Sequence, residues 1–191
     1  MPASQDPLLA SALLRQLIRE VWVITAADGE QRGGLTATWV QVAAIARRRP
    51  QLVIGLDPNH RTTQLVDASQ TFVAHLLAAN QIELAWRMAS ESSRASDKLR
   101  DLEWQPGMGG APRLNDCAAW FECQVVNRFA TTERIYFWGD VRACSQTEAT
   151  AALTDRDFIA ALTPDQRRLL AERQEEDMRQ HDAVRDRASQ T

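Results

Sequence analysis

The residues with the most chemical potential in this chain lie in Gly33-Gly34-Leu35-Thr36-Ala37-Thr38-Trp39-Val40, between the apolar runs Val21 to Ala27 and Gln51 to Asp57. Paired glycines let a backbone approach a ligand with no Cβ in the way, and the hydroxyls of Thr36 and Thr38, with nearby peptide N–H groups, can donate to phosphoryl or ring oxygens. Trp39 adds an aromatic face beside such a seat. The same pattern is also an ordinary hairpin exit into a β-branched strand, so the segment alone leaves both readings open. A second cluster, Asn59-His60-Arg61-Thr62, offers a guanidinium fork suited to phosphate, a hydroxyl, and the start of a following helix whose dipole favours an anion. A polar turn with a surface arginine is the alternative. His75 sits in an apolar strand, either as a satisfied interior histidine or as a group beside a bound ring. Lys98 is the only lysine among 22 Lys and Arg residues, so any lysine-specific chemistry falls on it.

Several self-sufficient chemistries are excluded. The chain lacks Ser-x-x-Lys, a nucleophile elbow, His-Glu-x-x-His and a Gly-x-x-x-x-Gly-Lys loop, and Gly107-Met-Gly-Gly does not follow a strand and open a helix. No side chain is expected to act as a nucleophile, and no metal site is expected. Cys117, Cys123 and Cys144 are odd in number and lack Cys-x-x-Cys spacing, so neither a disulfide framework nor a zinc site is indicated. A net charge of -3 gives no electrostatic reason for nucleic-acid binding. The first residues lack the basic and apolar regions of a signal peptide, and no apolar run reaches membrane-spanning length. A cytoplasmic location is expected. What remains is a scaffold that borrows its chemistry from a bound cofactor.

The elements that must position these residues are read from periodicity and punctuation. Residues 6–19 predict an amphipathic helix capped by Asp6, with leucines at spacings of four, lying against the rest of the fold. Val21 to Ala27 predicts a strand closed by Asp28-Gly29, a strong hairpin signal. Gln51 to Asp57, Thr71 to Leu77, Trp120 to Val126 and Arg134 to Arg142 predict further strands, with Asn127 to Glu133 as a loop. Arg61 to Ala68 predicts a short helix capped by Asn59 or Thr62, and Asn80 to Ala89 another. Ser90 to Pro112 is polar and glycine-containing, as expected of a partly mobile lid over a site. Thr154 caps one further helix, and Thr163-Pro164 starts a second whose last fifteen or so residues are expected to fray. Arg47-Arg48-Arg49 is read as a solvated loop.

In order and spacing these pieces resemble the flavin reductase-like family of FMN-binding split barrels. The match runs through Glu20 to Thr25, the Gly-Leu-Thr-Ala-Thr-Trp seat, Pro50 to Asp57, Asn59 to Thr62, Phe72 to Leu77, Asp97-Lys98-Leu99, Gly109 to Leu114, Ala119 to Val125 and Ile135 to Val141. The resemblance implies a mainly β fold with peripheral helices, a split β-barrel over residues 1–153, and a helical extension over 154–191. It implies FMN bound by Thr36, Ala37, Thr38, Trp39, Asn59, His60, Arg61, Thr62, His75 and Lys98, with His60 on the phosphate or facing a nicotinamide. It also implies a homodimer and an NAD(P)H-dependent flavin reductase using NADH or NADPH, which passes electrons to oxygen, a metal or a partner oxygenase. An FMN-binding electron carrier without a nicotinamide site, or a binding module for another ligand such as haem, are the alternatives. Leu99 replaces an aromatic residue of the family pattern, and Ala43-Ala44-Ile45 replaces a segment that often carries a serine, so one hydroxyl contact to the flavin is expected to be missing.

Overall fold

The computed structural model describes residues 5–90, 97–147 and 151–188. Nine strands are described: β1 (Trp22–Asp28), β2 (Gln31–Ala37), β3 (Val40–Val42), β4 (Gln51–Leu56), β5 (Thr71–Leu76), β6 (Trp104–Pro106), β7 (Pro112–Leu114), β8 (Ala119–Ala130) and β9 (Ile135–Gln146). Seven form one antiparallel sheet in the order β2-β1-β5-β8-β9-β4-β3, and β6 pairs with β7 separately. The two edge strands, β2 and β3, are consecutive in sequence and separated only by Thr38 and Trp39. Laid flat, six interstrand spacings of about 4.8 Å would hold them roughly 29 Å apart. From Ala37 to Val40 the chain reaches at most about 11 Å. The sheet must therefore curl until its edges meet, giving a barrel split between β2 and β3, with Thr38 and Trp39 spanning the split.

Two cores result. Inside the barrel lie Ile24, Ile54, Phe72, Ala74 and Phe137, joined by Leu65 and Val66 of helix α2 (Arg61–Ser69). Outside β1, Val21 and Val23 pack with Leu77, Leu99, Leu114 and the inner faces of α3 (Ile82–Ser90) and α4 (Asp155–Ala161). Period two thus sends alternate residues of β1 into different cores, which is why the strand reads as a continuous apolar run. Gly29 makes the β1–β2 turn at φ 58°, a conformation in which glycine has no Cβ penalty. Thr154 caps α4 by accepting from the Asp157 amide at 3.1 Å. A last helix, α5 (Pro164–Ala188), follows. None of the described helices is long and apolar enough to cross a membrane.

Four expectations about the elements are corrected. The first helix, α1 (Pro7–Leu14), is capped by Asp6 but buries none of its residues, so it does not lie against the barrel as a packed helix. Neither Asn59 nor Thr62 caps α2; its N-cap is His60, whose side chain makes no cap bond. Asn127 to Glu133 is largely strand, because β8 and β9 pair through Ala130 and Ile135 and leave only residues 131–134 to turn. The lid expected over Ser90 to Pro112 falls partly on 91–96, outside the described residues; its described part packs down, with Leu99 and Ala111 buried.

Candidate functional site

Asp57, at the end of β4, organises the site. Its Oδ1 accepts from the Asn59 amide at 2.8 Å, its Oδ2 accepts from Arg134 Nη1 at 3.2 Å and from His181 Nε2 at 2.9 Å, and its backbone oxygen accepts from the Thr63 hydroxyl at 2.6 Å. Burial by itself would raise the pKa of this carboxyl. The hydrogen bond from the Asn59 amide, the charges of His60 and Arg134, and the hydrogen bond from His181 outweigh it and hold the group below its ordinary value. The residue pairs in strand register: Leu56 faces Ile135, which places Arg134 across from Asp57. The bonded turn at 57–60 then leads into the start of α2, whose N-cap residue His60 makes no side-chain cap bond.

That start opens into a cavity of about 570 Å³ whose walls include Leu35, Thr36, Asn59, His60, Arg61, Thr62, Met88, Ala89, Lys98 and Arg134. This volume lies within the usual range for a small-molecule site. Among the described residues no carboxylate pairs with Arg61, whereas Arg134 is shared between Asp57 and the face of Trp39, 5.0 Å from its ring centroid. Lys98 is buried and donates to the Met88 carbonyl at 2.7 Å. Thr36 donates its hydroxyl proton to the Ala85 carbonyl at 2.8 Å, which leaves its oxygen free to act as an acceptor. His60 stands at the rim. The walls around it disfavour its charged form and lower its pKa, helped by Arg134 and Lys98 and opposed by Asp57 and Asp177.

Of the ten residues expected to bind, six line this cavity: Thr36, Asn59, His60, Arg61, Thr62 and Lys98. Thr38 and Trp39 line a separate cavity of about 220 Å³ at the barrel split, with Arg19, Gln41, Val53, Gly55 and Tyr136. There Trp39 stacks on Tyr136 with ring centroids 6.4 Å apart. Ala37 points into the barrel core. His75 is wholly buried between the sheet and β7: the Leu114 amide donates to Nε2 at 3.0 Å, so the ring proton sits on Nδ1 and is donated to the Val23 carbonyl, also at 3.0 Å. Desolvation pushes its pKa down to about 4, and it is a neutral cross-link, away from the cavity walls.

The glycines also act differently from expectation. A Cβ on Gly33 would lie 3.0 Å from Leu65 Cδ1 and 3.1 Å from Thr62 Oγ1, and one on Gly34 3.2 Å from Met88 Sδ. They bring α2 and α3 close to β2 and do not themselves face the ligand space. Their contribution is indirect: close packing of α2 sets Arg61 and Thr62 at the cavity wall.

Two groups of lining residues were missed from the sequence. Arg134 was legible only by pairing β4 with β9. The other group lies on α5, whose Leu170, Arg173, Gln174, Glu176 and Asp177 form one wall. In this structure α5 is helical to Ala188, and His181 on it bonds Asp57. Among the described residues no group of histidine, cysteine and carboxylate side chains is arranged to hold a metal.

Residues 14–163 match the flavin reductase like domain, and the chain belongs to that family. It is 24% identical over 149 residues to the flavin-dependent monooxygenase reductase subunit HsaB of Mycobacterium tuberculosis, covering 78% of this chain and 77% of that one. To the FMN reductase (NADH) RutF of an Enterobacter species it is 24% identical over 144 residues, covering 74% of this chain and 86% of that one. The solved NADH:FAD oxidoreductase SgcE6 of Streptomyces globisporus superposes with a TM-score of 0.70 at 23% identity, over 81% of this chain and 93% of that one. The chain spans only about a fifth of the length of the diflavin flavoproteins that it also matches, such as that of Synechocystis. The split-barrel fold expected from the sequence is the fold observed.

Proposed function

We propose that this protein is an NAD(P)H-dependent flavin reductase that holds FMN in the cavity between α2, α3 and α5. The observation that carries the reading is the meeting of three features: an Arg61 with no carboxylate partner among the described residues, a start of α2 whose N-cap side chain makes no cap bond, and a cavity of about 570 Å³, in a barrel of the flavin reductase-like family. The fit to a phosphate-bearing flavin is good on these grounds. Arg61, Thr62 and the first amides of α2 would hold the phosphate; Lys98 and Arg134 would add positive potential; Thr36 and Asn59 would hydrogen-bond polar atoms of the ligand. The flavin, when bound, supplies the two-electron chemistry that joins a nicotinamide to a later acceptor. The chain's own part is to bind, orient and shield it.

A homodimer fits this reading. Leu8, Leu13, Leu14, Leu17 and Ile18 near the N-terminus, with Val42, Ile45 and Phe129 on the barrel, are large apolar residues left more than half exposed. Such surface is usual at interfaces. The name of the HsaB relative supports a partner oxygenase as the electron acceptor.

Titration with FMN and riboflavin tests the site. FMN should bind more tightly, and Arg61→Ala should narrow the gap by about tenfold, the lower end for a charge-assisted hydrogen bond of roughly 1.5–3 kcal/mol. Equal losses for the two ligands would show that Arg61 does not read a phosphate. Anaerobic NADH or NADPH should bleach the bound flavin rapidly; a flavin that stays oxidised would remove the reductase reading.

A further inference from the structure

Resting on the flavin-site reading above, we infer that α5 makes this a mononucleotide site, with Glu176 and Asp177 turning away the second phosphate and nucleoside of FAD. The family match ends at residue 163, and α5 begins at Pro164, so the wall it forms is an addition to the matched barrel. Names among the relatives include both an FMN reductase and an NADH:FAD oxidoreductase, so the barrel itself does not settle which flavin fits.

The helix is anchored on both sides of the cavity. On one side Leu170 packs onto the outer core, and Arg173 donates to the carbonyls of Ala89 and Ser90 at the end of α3. On the other, His181 holds Asp57 at 2.9 Å and Arg185 Nε holds Glu133 Oε1 at 2.6 Å. From Arg173 to His181 the axis advances about 12 Å. The stretch between these anchors passes beside the cavity and puts Gln174, Glu176 and Asp177 on its wall, opposite Asn59 to Thr62.

The charges on that stretch are of the sign that rejects a longer anion. Asp177 acts electrostatically on His60 and has no ion pair among the described residues. Glu176 is held by Arg179 at 2.7 Å and Gln180 at 2.9 Å on its own helix. Arg173, the one basic α5 residue on the wall, is engaged with the α3 carbonyls. FMN ends at its phosphate. FAD continues from the same phosphate into a second one and an adenosine, which must leave the Arg61 turn past α5. That path meets both a helix and two carboxylates, whereas the terminal phosphate of FMN needs only the turn.

The test uses full-length protein titrated with FMN and FAD at low ionic strength and again in 0.5 M salt, following the quenching of flavin fluorescence. The wild type should favour FMN at least tenfold. The double variant E176Q/D177N changes exposed positions only and should raise FAD affinity relative to FMN three- to tenfold, since exposed charge interactions are each worth at most about fivefold. Salt should shrink that change. His181→Ala, which frees one anchor, should narrow the preference for FMN over FAD. Equal binding of FMN and FAD by the wild type would overturn the inference and leave the flavin site standing, as would a ratio unmoved in both variants. Failure of both flavins to bind would instead overturn the flavin-site reading.

Discussion

Asp57→Asn isolates the electrostatic centre of the site with little change in shape. The variant keeps an oxygen for the Asn59 amide but removes the negative charge that accepts from Arg134 and His181. Two charge-assisted hydrogen bonds at roughly 1.5–3 kcal/mol each set an upper limit near 6 kcal/mol. Two effects reduce it: the carboxylate no longer has to be desolvated, and Arg134 keeps 25% of its side chain in solvent, where water can replace the lost partner. A net loss of about 1–3 kcal/mol follows, or roughly 3–10 °C in Tm for a chain of this size. The pH dependence gives a second handle. Because the folded pKa of Asp57 lies below its unfolded value, its contribution is fully present above the unfolded value of about 3.9 and is lost as pH falls through the folded one. Urea unfolding of both proteins at pH 7 and at steps below pH 4 measures the difference. The gap should close as pH falls below about 4. Equal stability at pH 7, or a gap that persists at the acid end, would refute the assignment of Asp57 as a charged anchor. A double-mutant cycle with His181→Ala should show positive coupling, since the two side chains share one bond.

His75 predicts a separate acid sensitivity. With a folded pKa of about 4 and an unfolded value near 6.5, its contribution is complete above pH 6.5, declines as pH falls, and is gone below 4; His75→Gln should flatten that slope in denaturant melts while costing about 1–3 kcal/mol at pH 7 through the bonds to Val23 and Leu114. Burial drives the thiols of Cys117 and Cys123 up to about 12, whereas Cys144 is exposed. A thiol reagent at pH 8 should therefore label one cysteine in native protein and all three after denaturation, and native labelling of a second would contradict the packing described.

The strands and the hairpin turn were legible because their signals are local. Asp28-Gly29 punctuates β1 and β2, and alternating apolar residues mark β8 and β9. The extension of those last two strands through Asn127 and Arg128 was not legible, since pairing with Trp138 and Phe137 overrides the propensities of single residues. Arg61 and Lys98 were found from side-chain chemistry, and both line the cavity. Ala37 belongs to the seat by sequence and His75 is a histidine that could lie beside a bound ring, but strand alternation turns the first into the barrel core and burial bonds the second on both nitrogens. The role of α5 was hidden for another reason. Apart from Leu170, its face toward the barrel is polar, with Arg173, Gln174, His181 and carboxylates, so its composition is that of a solvated tail until the tertiary partners Asp57 and Glu133 are known.

The strand order also dictates when the fold can be completed during synthesis. β4 pairs with β3 on one side and with β9 on the other, where Leu56 meets Ile135. About 80 residues separate them, so at roughly 5–20 residues per second the ribosome needs about 4–16 s to deliver the second partner of β4. Through that interval Leu52, Ile54 and Leu56 belong to a strand with one unpaired edge and a core that still lacks Ile135 and Phe137. Nascent chains arrested before residue 135 should accordingly bind chaperones and aggregate when released, and chains extended past β9 should not.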